Sequence, residues 1–139
     1  MNYLQQLEQA LKQINRYKKF LLTQNGLGIT TDQWDILDTI REKPGINQKT
    51  LAQLTEKDPA SIKRTLDLLE KTDLINRQKS TDNKRDHLLY LCEKGESIAH
   101  RMWPSAIDLR AKGTKGLSAD DMEKLQRILG KITENLAVD

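Results

Sequence analysis

One cysteine, two histidines, three prolines and 4% aromatic residues leave this 139-residue chain short of several kinds of chemistry. Cys92 alone forms no intramolecular disulfide, and with only His87 and His100 beside it a structural zinc site lacks ligands. We therefore expect no metal and no cofactor. No apolar run approaches the ~18 residues that a membrane-spanning helix needs, and the mean hydropathy is -0.69. Met1-Asn2-Tyr3 leads into a polar amphipathic stretch, where a secretory signal would set basic residues before an apolar segment. The expectation is a cytoplasmic protein without a membrane partner. Gly-rich phosphate loops, HExxH and GxSxG are all missing, so no enzymatic constellation is in view. Asp120-Asp121 is the one paired acid that draws attention, and at a helix start it complements the helix dipole. Cys92 ends an apolar run and reads as a small buried hydrophobe.

What is present is periodic. Apolar residues make up 37% of the chain, and Lys and Arg outnumber Asp and Glu by 23 to 20, leaving room for a basic face. Leu4, Leu7, Leu11, Ile14 and Leu21 recur at helical steps, predicting an amphipathic helix over about 3–23. At roughly 20 residues, or ~30 Å, it is long for so small a protein, and its apolar face asks for a partner. Asn25-Gly26 ends it. Thr30 with Gln33 makes a capping box for a helix carrying Trp34, Ile36, Leu37 and Ile40, stopped by Pro44-Gly45. Asn47 caps a short helix with Leu51, Ala52 and Leu54. Asp58-Pro59 opens another, with Ile62, Leu66 and Leu69 inward and an end near Asp73.

The period then changes. Residues 75–80 and 87–92 read as two short strands, joined by the polar, turn-rich stretch from Thr81 to Asp86. Helix returns from Glu93 to about Lys112, with Pro104 as a kink or break. Ser118 caps a last helix bearing Met122, Leu125, Leu129, Ile132 and Leu136. The fold class is thus mainly α with a small β-hairpin.

The two short helices around Thr55-Glu56-Lys57-Asp58 make a helix-turn-helix, whose second helix enters a DNA major groove N-terminus first. Ala60, Ser61, Lys63 and Arg64 face outward there: the small pair permits close approach, and the cations suit phosphates or guanine edges. Lys84 and Arg85 in the hairpin loop form a wing tip suited to a minor groove. Asp67, Glu70 and Asp73 dilute this basic character.

From Gly28 to about Gly95 the chain resembles the MarR family of winged-helix transcriptional regulators. The run Leu68-Leu69-Glu70-Lys71-Thr72-Asp73-Leu74-Ile75-Asn76-Arg77 is similar to that family's recognition-helix end and first wing strand. Leu88-Leu89-Tyr90-Leu91-Cys92-Glu93-Lys94-Gly95 is similar to its second strand and following turn, and Gly116-Leu117-Ser118 to the opening of its last helix. Two positions depart from the family's pattern. Asn83 stands where an acid usually orients the wing arginine, and Asp73 where Gly usually follows the recognition helix.

The resemblance implies one domain over 1–139, with a winged helix-turn-helix over 28–92 and dimerisation helices in 1–26 and 93–139. It also implies a homodimer on a pseudo-palindromic double-stranded DNA operator, more often as repressor than activator. Relatives take small aromatic or phenolic ligands, and Trp34, His100, Arg101 and Trp103 offer an aromatic wall with a cation. The stronger reading of Trp34, at helical spacing, is core, and that of Trp103, before Pro104, is packing or dimer interface. The alternative function is a winged-helix protein-interaction module without specific DNA binding.

Overall fold

Helix starts are set by short polar side chains that take up free backbone N–H groups. The protein is described by a computed structural model over residues 1–82 and 86–138. Helix α1 (Tyr3–Asn25) begins at Asn2, whose Oδ1 accepts from the Gln5 N–H at 3.0 Å. Helix α2 (Thr31–Glu42) begins at the Thr30–Gln33 capping box, with bonds of 3.0 and 3.1 Å. Strand β1 (Ile46–Asn47) runs straight into α3 (Gln48–Thr55), where Asn47 Oδ1 accepts from the Thr50 N–H at 2.7 Å. Asp58 caps α4 (Pro59–Lys71) through the Ser61 N–H at 3.1 Å. Strands β2 (Ile75–Lys79) and β3 (His87–Leu91) precede α5 (Glu93–Gly113) and α6 (Ala119–Asn135), the last capped by Ser118.

The three strands form one antiparallel sheet in the order β1-β3-β2. Lys79 opposes His87 and Ile75 opposes Leu91, so the hairpin register places Leu89 of β3 across from Arg77. Sequence periodicity did not predict β1. It exists because Ile46 and Asn47 pair with Leu89 and Leu88, with the Gly45 N–H donating to the Leu89 carbonyl at 2.9 Å. Two residues are too few to carry a period of their own.

Other boundaries moved by a residue or two. Helix α1 extends to Asn25, because Gly26 takes the left-handed conformation (φ 61°) that closes it. Helix α4 stops at Lys71, and Asp73 occupies the left-handed position (φ 64°) while the Leu74 N–H donates back to Leu69 at 2.8 Å. Pro104 does not break α5, which runs through it to Gly113.

The chain divides into two compact units, Met1–Ser105 and Ala106–Asp139, with the boundary inside α5. In the first, Ile36, Leu37 and Ile40 of α2 pack with Leu51, with Ile62, Leu66 and Leu69 of α4, and with Ile75 and Leu89 of the sheet. At about 25 cal/mol per Å² of apolar area removed from water, this core is what holds α4 against α2, α3 and the sheet. In the second unit, α6 has no buried residue.

Candidate nucleic-acid interface

With Ile62, Leu66 and Leu69 turned into the core, α4 has no choice about its outer face. Ala60, Lys63, Arg64 and Asp67 are exposed, and Ser61 is half-buried. Ser61 has two local tasks: its N–H donates to the Asp58 cap, and its Oγ accepts from Arg64 Nη2 at 3.1 Å. That second bond lays the guanidinium along the first turns of the helix. Helix α3 and the turn through Glu56 (φ 51°, left-handed) carry α4 into place.

Asp67 and Glu70, which dilute the basic charge on paper, are partnered. Arg77 of β2 donates through Nη1 to Asp67 Oδ1 at 2.7 Å and lies 3.9 Å from Glu70. The same guanidinium therefore joins β2 to α4 and sets a cation beside both of its acids. Its Nε and Nη2 are buried without a hydrogen-bond partner among the described residues. The Ser80 N–H closes the hairpin on the Asp86 carbonyl at 3.0 Å. The proposed wing-tip residues Lys84 and Arg85, with Asn83, lie outside the described residues. A cavity of about 550 Å³ opens between α3, the start of α4 and the foot of the wing, lined by Gln48, Gln53, Lys57, Pro59 and His87 among others.

A second cavity, about 460 Å³, lies between α2, β3 and α5. Of the four ligand candidates, His100 and Trp103 line it together, whereas Trp34 and Arg101 do not. Trp34 is buried at 6% exposure on α2, and Arg101 is exposed on α5. The cation at this cavity is Arg41, whose guanidinium stands 4.5 Å from the Trp103 ring centre and 2.9 Å from Asp38. Among the described residues no cluster of three or more His, Cys, Asp or Glu could hold a metal ion. No helix among them is long and apolar enough to cross a membrane.

Comparison with known proteins decides the family. The family model described as MarR matches residues 29–87. The HTH-type transcriptional regulator MgrA of Staphylococcus aureus is 30% identical over 132 residues, which cover 91% of this chain and 84% of MgrA. The chain belongs to the MarR family. It is also similar in structure to a cysteine-to-serine mutant of E. coli MarR complexed with operator DNA: TM-score 0.79, 26% identity, 92% of this chain and 91% of that one. The transcriptional regulator SlyA gives a TM-score of 0.85 at 23% identity over 98% of this chain and 94% of its own, a likeness of fold.

Membership in the MarR family makes the chain a transcriptional regulator of winged-helix fold and not an enzyme. Sequence reading named the outer residues of α4 but missed Arg77 and Arg41. Arg77 reads on its own as an ordinary strand residue, and only the packing of β2 against α4 gives it Asp67. Arg41 lies on α2, ahead of the aromatic cluster in α5 that drew attention, and only the fold brings the two together.

Proposed function

We propose that this MarR-family protein is a cytoplasmic homodimer that binds a pseudo-palindromic DNA operator and represses transcription until a small molecule releases it. The observation that carries the reading is the outer face of α4, where Ala60, Ser61, Lys63 and Arg64 stand at the N-terminal end with Arg64 held by Ser61. In a helix-turn-helix that end meets the base edges. Lys84 and Arg85 complete the site from the wing. The region 28–92 is the DNA-binding part, and the segments 1–26 and 93–139 make the dimer. Exposed apolar side chains support that division: Leu4, Leu11, Ile14 and Phe20 on α1, Leu125, Ile128 and Leu129 on α6, and Leu136 at its C-cap. A two-fold dimer sets its recognition helices about one DNA turn apart, roughly 34–36 Å. The releasing ligand is a small aromatic or phenolic anion, received where His100 and Trp103 face Arg41.

Selection of bound sequences from random duplexes, followed by titration at two salt concentrations, tests the reading. An inverted repeat with half-sites one turn apart, bound in a steeply salt-dependent way, is the expected result. Arg64→Ala and Arg85→Ala should each weaken binding to it while sedimentation still reports a dimer. Unchanged affinity in both variants overturns the docking geometry. Sequence-blind binding alone would move the function to protein partners.

A further inference from the structure

Helix α1 and the turn that leads into α4 meet at one carboxylate of α2. Asp35 of α2 accepts from Lys18 of α1 at 2.9 Å through Oδ1, and its Oδ2 lies 3.7 Å from the Nζ of Lys57. Lys57 is also 2.7 Å from Asp32, and it immediately precedes Asp58, the N-cap of α4. Lys18 lies over the Trp34 ring at 5.9 Å. The lysine side chains are only 21% and 24% exposed and that of Asp35 34%, so the group is shielded more than a typical surface pair. Two ammonium and two carboxylate groups balance. They join α1, α2 and the turn that leads into α4.

We propose that Asp35 is a positioning residue for DNA recognition: it locks the helix-turn-helix to α1 and so makes the protein selective for half-site spacing. This rests on the dimeric DNA-binding reading above. Even partly shielded ion pairs contribute little to stability. Their geometric effect is larger, because both recognition helices must engage together and a small change of angle is doubled across the two-fold axis. Without Asp35, Lys18 loses its carboxylate while Asp32 still holds Lys57 at 2.7 Å, so the freedom gained lies between α1 and the helix-turn-helix.

Two readouts test this. The first is affinity for operators whose half-sites are at the selected spacing or moved by one base pair. The wild type should prefer the selected spacing by about tenfold, and Asp35→Asn should cut that preference to about threefold or less, with single half-site affinity unchanged. Asp35→Glu, which keeps the carboxylate, should restore most of it. The second needs neither operator nor dimer: spin labels at Lys12→Cys and Lys63→Cys in a Cys92→Ser background, diluted into unlabelled chain. Asp35→Asn should broaden the distance distribution between α1 and α4. Unchanged spacing preference, or an unchanged distribution, overturns the inference. If the wild type selects no repeat yet the distribution broadens, Asp35 still positions α4 and it is the DNA reading that fails.

Discussion

Gly95, in the first turn of α5, is buried against the chain entering β2, and the geometry there permits no side chain. A Cβ on Gly95 would overlap the carbonyl oxygen of Leu74 and stand 3.1 Å from its carbon. That oxygen is not free to swing away. It accepts the Cys92 N–H at 2.9 Å, and the Leu74 N–H is itself bonded to Leu69 at 2.8 Å. Gly95→Ala must therefore push two backbone segments apart. Overpacking of this kind costs about 1–3 kcal/mol, and a rigid backbone neighbour puts the cost at the upper end. Stretching the Cys92 bond adds about 1 kcal/mol. The helix preference of Ala over Gly returns roughly the same amount. The net loss is about 3 kcal/mol, which for a chain of this size lowers the melting temperature by roughly 10 °C.

The assay is thermal unfolding by circular dichroism or calorimetry at one fixed protein concentration, because association shifts the midpoint. Gly113→Ala is the control. It lies in the same helix, its Cβ would meet nothing within 4 Å among the described residues, and it should match wild type or exceed it by up to about 1 kcal/mol. If Gly95→Ala melts with Gly113→Ala and wild type, the close approach of α5 to Leu74 is not a constraint on this fold and the reasoning fails.

Glu56 and Asp73 hold left-handed conformations (φ 51° and 64°), so Gly at either position should stabilise by about 0.5–1 kcal/mol, with Glu56→Gly the larger; lower melting points would contradict this. Thr30→Ala removes the hydroxyl half of the α2 capping box and should cost about 1 kcal/mol, read by urea unfolding with an unchanged slope. Arg77→Met should change stability by less than about 1 kcal/mol, since its acid partners are half-exposed and two of its nitrogens are buried without partners among the described residues. Its operator affinity should nonetheless fall several-fold, because Asp67 and Glu70 then face phosphate unmasked; equal affinity would show that masking is irrelevant.

The helix starts were legible because capping is a local transaction between a side chain and a backbone N–H two or three residues away. Thr30 with Gln33, Asn47, Asp58 and Ser118 all cap where the sequence placed them. So too was the turn at Asp73, where a side chain tolerant of positive φ replaces the usual glycine. What escaped was everything defined by a distant partner. Strand β1 exists only through Leu88 and Leu89, Arg77 acquires its meaning from Asp67 ten residues earlier, and the Lys18–Asp35–Lys57 group spans thirty-nine residues. The ligand candidates illustrate both sides. His100 and Trp103, one turn apart on α5, share a cavity wall as helical spacing demands, whereas Trp34, on α2 with its own inward stripe, is taken by the core.

The charge arithmetic gains its meaning from the same packing. A net charge of +3 looks too small for a protein that must approach phosphate. Yet Lys18, Arg41, Lys57 and Arg77 are each bound to Asp or Glu within the fold, neutralising Asp32, Asp35, Asp38 and Asp67. Lys63 and Arg64 have no ion-pair partner among the described residues, and both are exposed. Lys63 and Arg64 therefore keep their charge in the open, near the N-terminal end of α4, the end with which a helix-turn-helix meets DNA. A balance that is nearly neutral over the whole chain is compatible with a locally positive face, because Arg77 pairs with the acids of α4 while Lys63 and Arg64 stay exposed.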